Sequence, residues 1–334
     1  METARNRGAS FVLVLSALAA LNLLVLLLQI VLGDFPIPAA EALHALFGAG
    51  SERFDLVVNR FRFPRALVAF LAGAGLALSG TILQGITRNP LASPGVLGLN
   101  SGAALAAVGC MVLAPGVPVA MLPFAAFAGA LLAALLSYAL AWRRGLSPVR
   151  LVLVGVGIAA SAGAVVSFLL TFTDLAQAKA AVIWMSGSVY GRSWEHFWPL
   201  LPWLAVGFPV ALLLSRSLDV LQLGDSLATG LGTKLERVRA LLLLVAVASA
   251  GAAVAMAGTI GFVGLMAPHL ARFIVGSMSR RLLPAAVLTG GLLVNAADLL
   301  GRTVAAPLEI PCGILIALIG APYMVYLLFK KRNQ

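Results

Sequence analysis

Apolar residues in this chain come in long runs, separated by short stretches rich in Gly, Pro, Ser and Arg. The runs cover 11–32, 64–86, 95–114, 119–141, 149–172, 198–215, 239–258, 283–301 and 312–329. A shorter one, around 259–271, is broken by Gly261, Gly264 and Pro268. A helix of about 20 apolar residues crosses a bilayer, so the pattern predicts an all-α membrane protein of about ten spans in a single transmembrane domain over 1–334. The first run follows Arg5 and Arg7. It is too long for a signal-peptide core, and no small-x-small site follows it, so it reads as a retained span.

Three polar stretches are long enough to fold locally. Residues 34–60 hold Pro36, Pro38 and a helical apolar pattern from Ala39 to Phe47. Residues 173–197 carry Trp184, Tyr190, Trp194 and His196, which suit a membrane–water interface. The third is the loop from Ser215 to Arg239. An even number of spans puts both ends on one side. Of the 23 Lys and Arg, 16 fall on the side of the termini and 7 on the other: Arg53, Arg60, Arg62, Arg65, Lys179, Arg192 and Arg302. Basic loops face the cytoplasm, which places both termini there and residues 34–60 and 173–197 outside.

Composition sharpens this picture. The chain is 61% hydrophobic and 10% charged, too little charge to cover a soluble domain of 334 residues. The formal charge of +11 is scattered between apolar runs and forms no basic stripe, which excludes a nucleic-acid partner. Cys110 and Cys312 lie in apolar runs and give neither a disulfide framework nor metal spacing. Gly230-Leu231-Gly232-Thr233-Lys234 lacks the order of a phosphate loop, since Thr233 precedes the lysine and Leu235 follows it. Catalytic clusters of His, Cys or carboxylates are missing from the sequence, so an intramembrane enzyme is disfavoured.

The stretch from Arg88 to Gly98 breaks two spans with Pro90 and Pro94, and adds Asn89, Ser93 and Gly95. Irregular backbone at membrane depth is tolerated where it is buried or lines a wet path. The segment therefore reads as a loop at the inner end of a transport pathway, or as an ordinary tight turn. In the cytoplasmic loop, Asp225 or Ser226 can cap a short helix that Gly232 ends. Leu227, Ala228 and Leu231 then form a small apolar face, for a cytoplasmic partner or for the membrane surface. Arg62 and Arg65 share one helix face, and Asp298 stands four residues before Arg302, close enough to hold it. These outer arginines either snorkel at the interface or meet a partner. A weak repeat is also visible. Arg65-Ala66-Leu67 leads to Ser79-Gly80-Thr81-Ile82, and Arg239-Ala240-Leu241 leads to Ala257-Gly258-Thr259-Ile260, in opposite orientation, as an inverted-topology repeat would run.

Taken together these motifs resemble the permease subunits of binding-protein-dependent ABC importers for ferric siderophores, haem and cobalamin. The resemblance is carried by Arg62-Phe63-Pro64-Arg65, Arg88 to Gly95, Leu223-Gly224-Asp225 with Ala228 and Leu231-Gly232, Gly261 to Leu265 with Pro268-His269, Ala297 to Arg302, Glu309-Ile310-Pro311 and Gly320-Ala321-Pro322. Ile86 to Leu99 and the stretch from Gly187 to Trp194 look most like ferric-citrate-type permeases. The resemblance implies a ten-helix subunit that dimerises with itself or a sister, with ATPase subunits below and a periplasmic substrate-binding protein above. It implies no cofactor in this chain and ATP used by the partner.

The resemblance also suggests roles for particular residues. The coupling loop is 218–232, with Leu223, Gly224, Asp225, Ala228, Leu231 and Gly232 meeting the ATPase. Asn89, Leu91, Ser147 and Pro148 lie at the inner gate, and the small residues of the next span, Gly155 and Ser161 among them, suit both close helix packing and a wide path for a bulky chelate. Arg62, Arg65 and Arg302 meet the binding protein. A reading from another class, an ion-coupled secondary transporter, would need a membrane-buried ionisable residue, and Asp298 is the one obvious candidate.

Overall fold

The computed structural model describes residues 2–33, 35, 37–114, 116–143, 145–232 and 234–332. Pro36, Arg144 and Thr233 lie outside them. The described residues form α1 (Glu2–Val31), α2 (Ala39–Leu46), α3 (Glu52–Leu56), a π-helical turn (Val57–Arg62) running into α4 (Phe63–Thr87), and α5 (Leu99–Leu113). After these come α6 (Leu122–Ala141), α7 (Pro148–Thr171), α8 (Leu175–Met185), α9 (Trp194–Leu213), α10 (Ser215–Gln222) and α11 (Asp225–Gly230). The last four are α12 (Leu235–Ala257), α13 (Val263–Val275), α14 (Ser279–Thr303) and α15 (Cys312–Arg332).

Each of the ten apolar runs holds one helix. Seven helical stretches are long and apolar enough to cross a membrane: 11–31, 52–87, 119–141, 148–171, 194–213, 235–257 and 279–303. Shorter apolar helices, α5, α13 and the 312–327 part of α15, occupy the other three runs. The boundaries differ from the sequence reading for local reasons. The run at 95–114 opens with a 3-10 turn, Pro94–Leu97, and becomes α-helical only after Gly98 turns left-handed at φ 75°. The run at 198–215 begins earlier, at Trp194, because the Ser193 backbone N–H finds His196 Nδ1 at 3.3 Å. The outer stretch 173–197 adds a helix, α8. The two Gly-Thr-Ile signatures of the weak repeat sit differently: Thr81 is inside α4, whereas Gly258 and Thr259 lie in the break between α12 and α13.

α4 is the axis of the packing. Its span window is 89% buried, against 22% for α6 and α7. It lies against α14, α12, α13 and α9. Bare glycines allow the approach. A Cβ at Gly73 would sit 2.1 Å from the Gly290 carbonyl oxygen of α14, and one at Gly80 would sit 1.9 Å from that of Gly264 in α13. Small residues at membrane helix contacts let backbones close in this way. The chain thus builds a dense centre on α4, α12 and α14 and leaves α6, α7 and α9 with broad outward faces.

Candidate functional site

The bundle has two polar ends. At one, the C-terminus of α1 meets the start of α4, the end of α14 and the loop before α9. Arg62 Nη1 donates to the carbonyls of Ile30 at 2.7 Å and Val31 at 2.9 Å, and Nη2 donates to that of Phe35. A cation on the last carbonyls of a helix satisfies groups that have no partner within the helix and complements its dipole. The guanidinium runs over Gly33, where a Cβ would lie 2.8 Å from Nη2. Arg302 reaches the same helix end, donating to the Gln29 carbonyl.

Arg65 is held differently. Its Nη2 donates to Asp298 at 2.7 Å and to Glu309 at 2.8 Å, and its Nε and Nη1 complete both forks. Such two-oxygen pairing is the strong form of an arginine–carboxylate contact. The expected pair of Asp298 with Arg302 is not the one formed, because the Arg65 fork crosses from α4 and takes Asp298. The three arginines do not snorkel either: Arg62 and Arg302 are buried and Arg65 nearly so. They nonetheless line a common cavity of about 350 Å³, together with Arg192, Tyr190 and Glu309. The sequence motifs give Arg192 no role of its own. Its presence among the seven outer basic residues was the signal available. Burial pushes its guanidinium down from the ordinary arginine range, and its Nη1 lies 3.0 Å from His196 Nε2.

At the opposite, more basic end the predicted loop folds as the paired helices α10 and α11. Leu223, Leu227 and Leu231 are exposed, in steps of four residues. Ala228 is not part of that face, since it is fully buried against the bundle. Nor does Asp225 cap α11. The residue before the helix is Gly224, at φ 108°, and the Asp225 carboxylate turns back to Arg239 Nη2 at 2.9 Å. Gly232, at φ 77°, closes the turn as expected. Arg239, counted from sequence among the loop cations, is buried and also donates to the Leu146 carbonyl at 2.9 Å. Arg88 reaches the same Asp225 oxygen at 3.5 Å.

The residues assigned to the inner gate gather close by. Asn89 Oδ1 accepts from the Leu91 N–H at 2.9 Å, so Asn89 shapes the turn that presents the exposed Leu91. Ser147 caps α7, accepting from the Arg150 N–H at 3.5 Å, with Pro148 at the first helical position. Gly155 packs on the Pro94–Leu97 turn, where a Cβ would lie 2.1 Å from the Val96 carbonyl oxygen. It therefore seats the gate loop on α7. Ser161 faces outward from α7 and returns its hydroxyl to the Gly157 carbonyl at 2.9 Å.

A helical membrane bundle with a short helix pair presenting exposed leucines at one end and a guanidinium-lined cavity at the other has the form of a transporter's membrane subunit. The chain belongs to the FecCD transport family, whose profile matches residues 21–330. It is 41% identical to the iron(3+)-hydroxamate import system permease protein FhuG of Bacillus subtilis, over 99% of both chains. It is 42% identical to the Fe(3+) dicitrate transport system permease protein FecD of Escherichia coli, over 92% of this chain and 95% of the relative. It is 46% identical to the Fe(3+)-citrate import system permease protein YfmE of Bacillus subtilis, over 84% of both. A solved inward-facing structure of a metal-chelate type ABC transporter superposes with a TM-score of 0.83 at 30% identity, covering 95% of this chain and 98% of the other.

Proposed function

We propose that this chain is the multi-pass permease subunit of a binding-protein-dependent ABC importer. It carries a ferric siderophore, ferric citrate-like, or a related metal chelate across the bacterial inner membrane. The observation that carries this reading is the family match along nearly the whole chain, with relatives named for ferric hydroxamate and ferric citrate. The basic end faces the cytoplasm, by the asymmetry of the loop cations. There the exposed leucines of α10 and α11 offer a groove-filling apolar face to an ATPase subunit. The chain itself hydrolyses no ATP; it converts the partner's nucleotide cycle into exposure of the path to one side and then the other. The path forms between two permease subunits, this chain and a copy or a sister, across the outward face of α7.

At the periplasmic end, an acidic side chain of the binding protein enters the cavity lined by Arg62, Arg65, Arg192 and Arg302. Four guanidiniums face one lining carboxylate there. Complementary charge of this kind sets association rate and register more than affinity. Docking accordingly weakens as salt rises, since the Debye length is about 8 Å at physiological ionic strength. Affinity of the binding protein for the permease in nanodiscs across a salt series tests this, and a salt-independent Kd sinks it.

The ion-coupled alternative is weakened by Asp298 itself. Its carboxylate is fixed by the Arg65 fork, which engages both of its oxygens. Uptake into proteoliposomes decides between the engines. Transport that needs ATP and the ATPase subunit, and that survives a proton uncoupler, is the expected result. Uptake without the ATPase that collapses with the uncoupler would reverse the assignment.

A further inference from the structure

Arg88 ends α4 in the left-handed region, at φ 53°, where a long side chain is uncommon. From there its guanidinium passes over Gly224, where a Cβ would lie 3.2 Å from Nη1. It then meets Asp225 Oδ1 at 3.5 Å. That oxygen already accepts from Arg239 Nη2 at 2.9 Å. The two arginines differ in burial. The Arg239 side chain is 2% exposed and the Arg88 side chain 39%. A buried cation keeps its carboxylates, here Asp225 at 2.9 Å and Glu236 at 3.6 Å, because parting them leaves charge uncompensated in the bundle. A half-exposed pair at longer distance is weak and readily parted. Asp225 is thus bound firmly to α12 on one side and loosely to the 88–98 loop on the other.

We infer that Asp225 is a positioning residue that ties the coupling helices to the gate loop. Anchored by Arg239, it holds Arg88, and with it the start of the 88–98 loop, in the arrangement seen here. It releases Arg88 when α11 shifts. This rests on the assignment of α10 and α11 as the ATPase-facing helices. The inference also accounts for the residue types at 223–225. Leu223 faces outward, Gly224 leaves room beneath Arg88 and supplies the positive φ, and Asp225 serves both arginines. The third contact of Arg239, to the Leu146 carbonyl just before α7, places the next element of the gate on the same anchor.

The test uses the assembled transporter in proteoliposomes, with transport measured per ATP hydrolysed. A Thr229→Cys reporter on the exposed side of α11, in a Cys110→Ser, Cys312→Ser background, scores cross-linking to the ATPase subunit. Arg88→Gln leaves the Arg239–Asp225 pair intact, so it isolates the link even if Asp225→Asn folds poorly. The expected result is a fall of about fivefold or more in transport per ATP for Arg88→Gln and for Asp225→Asn, in the range of ordinary coupling free energies. The double variant should be no worse than the poorer single, and Asp225→Glu should recover most of the loss. Arg88→Gln within about twofold of wild type, with the cross-link retained, overturns the link alone. Absence of the cross-link in the otherwise wild-type reporter overturns the coupling assignment and the link together.

Discussion

Arg65 is the residue on which the outer end is balanced. Its guanidinium faces Asp298, 3% exposed, and Glu309, 19% exposed. Removing one partner of a buried pair costs about 3–5 kcal/mol, since the other charge is left uncompensated. Asp298→Ala should therefore lower stability by roughly that amount. Glu309→Gln keeps Asp298 in place and trades a charged acceptor for a neutral one, so it should cost less, about 1.5–3 kcal/mol. Thermal unfolding of the purified subunit in detergent measures both, and equal losses would contradict the ranking. Arg62→Ala should also reduce folded protein, because it strips the partner from the last carbonyls of α1. A variant that folds as wild type and loses only docking would instead make Arg62 a dedicated contact. These pairings were not legible in the sequence. Arg65 and its acids are 233 and 244 positions apart, and the local four-residue spacing pointed to Arg302. The charge partition did group Arg62, Arg65, Arg192 and Arg302 among the outer basic residues, and these four line one cavity. It could not say that they would be sequestered.

At the scale of the elements, the ten apolar runs were legible because Gly, Pro and Arg punctuate them. The short α13 was legible too, since its glycines fall at the break before it. What periodicity could not show is which glycines carry packing. Gly80 and Gly163 look alike in sequence, yet a Cβ at Gly80 would collide with the Gly264 carbonyl at 1.9 Å, whereas one at Gly163 meets nothing within 4 Å. Gly80→Ala should therefore destabilise the bundle by about 1–3 kcal/mol or more, as overpacking does. Gly163→Ala should stay within about 0.5 kcal/mol, as substitutions away from tight contacts do. The same reasoning explains the misplaced Ala228. A helix of six residues, Asp225–Gly230, makes less than two turns, so one side chain's rotation decides which faces are free. The exposed set is Leu223, Leu227 and Leu231, and Leu227→Asp is the change that should release the ATPase in pull-down while the subunit still folds.

For the molecule as a whole, the proposed pairing of two permease subunits across α7 rests on the make-up of that outward face. In a bilayer an exposed apolar face needs no partner, since lipid tails serve as well. Small residues mark the faces where backbones approach one another or leave space. α7 is the helix that combines exposure with small size, carrying Gly157, Ala160, Ser161, Gly163 and Ala164 on its outward side. Neither Gly157 nor Gly163 has a neighbour within 4 Å of an added Cβ, so a bulky residue there costs the isolated subunit little. If two subunits enclose the path along α7, Gly163→Trp should leave expression and the melting temperature of the subunit unchanged. It should nevertheless abolish uptake by filling a space needed by the chelate or by the facing helix. Size-exclusion profiles of the assembled complex separate those two causes: a blocked path keeps the complex together, and a blocked interface splits it. If the face is only lipid-exposed, the tryptophan should rest among acyl chains, and uptake should continue at the wild-type rate. That outcome would move the interface to the exposed flanks of α6 or α9.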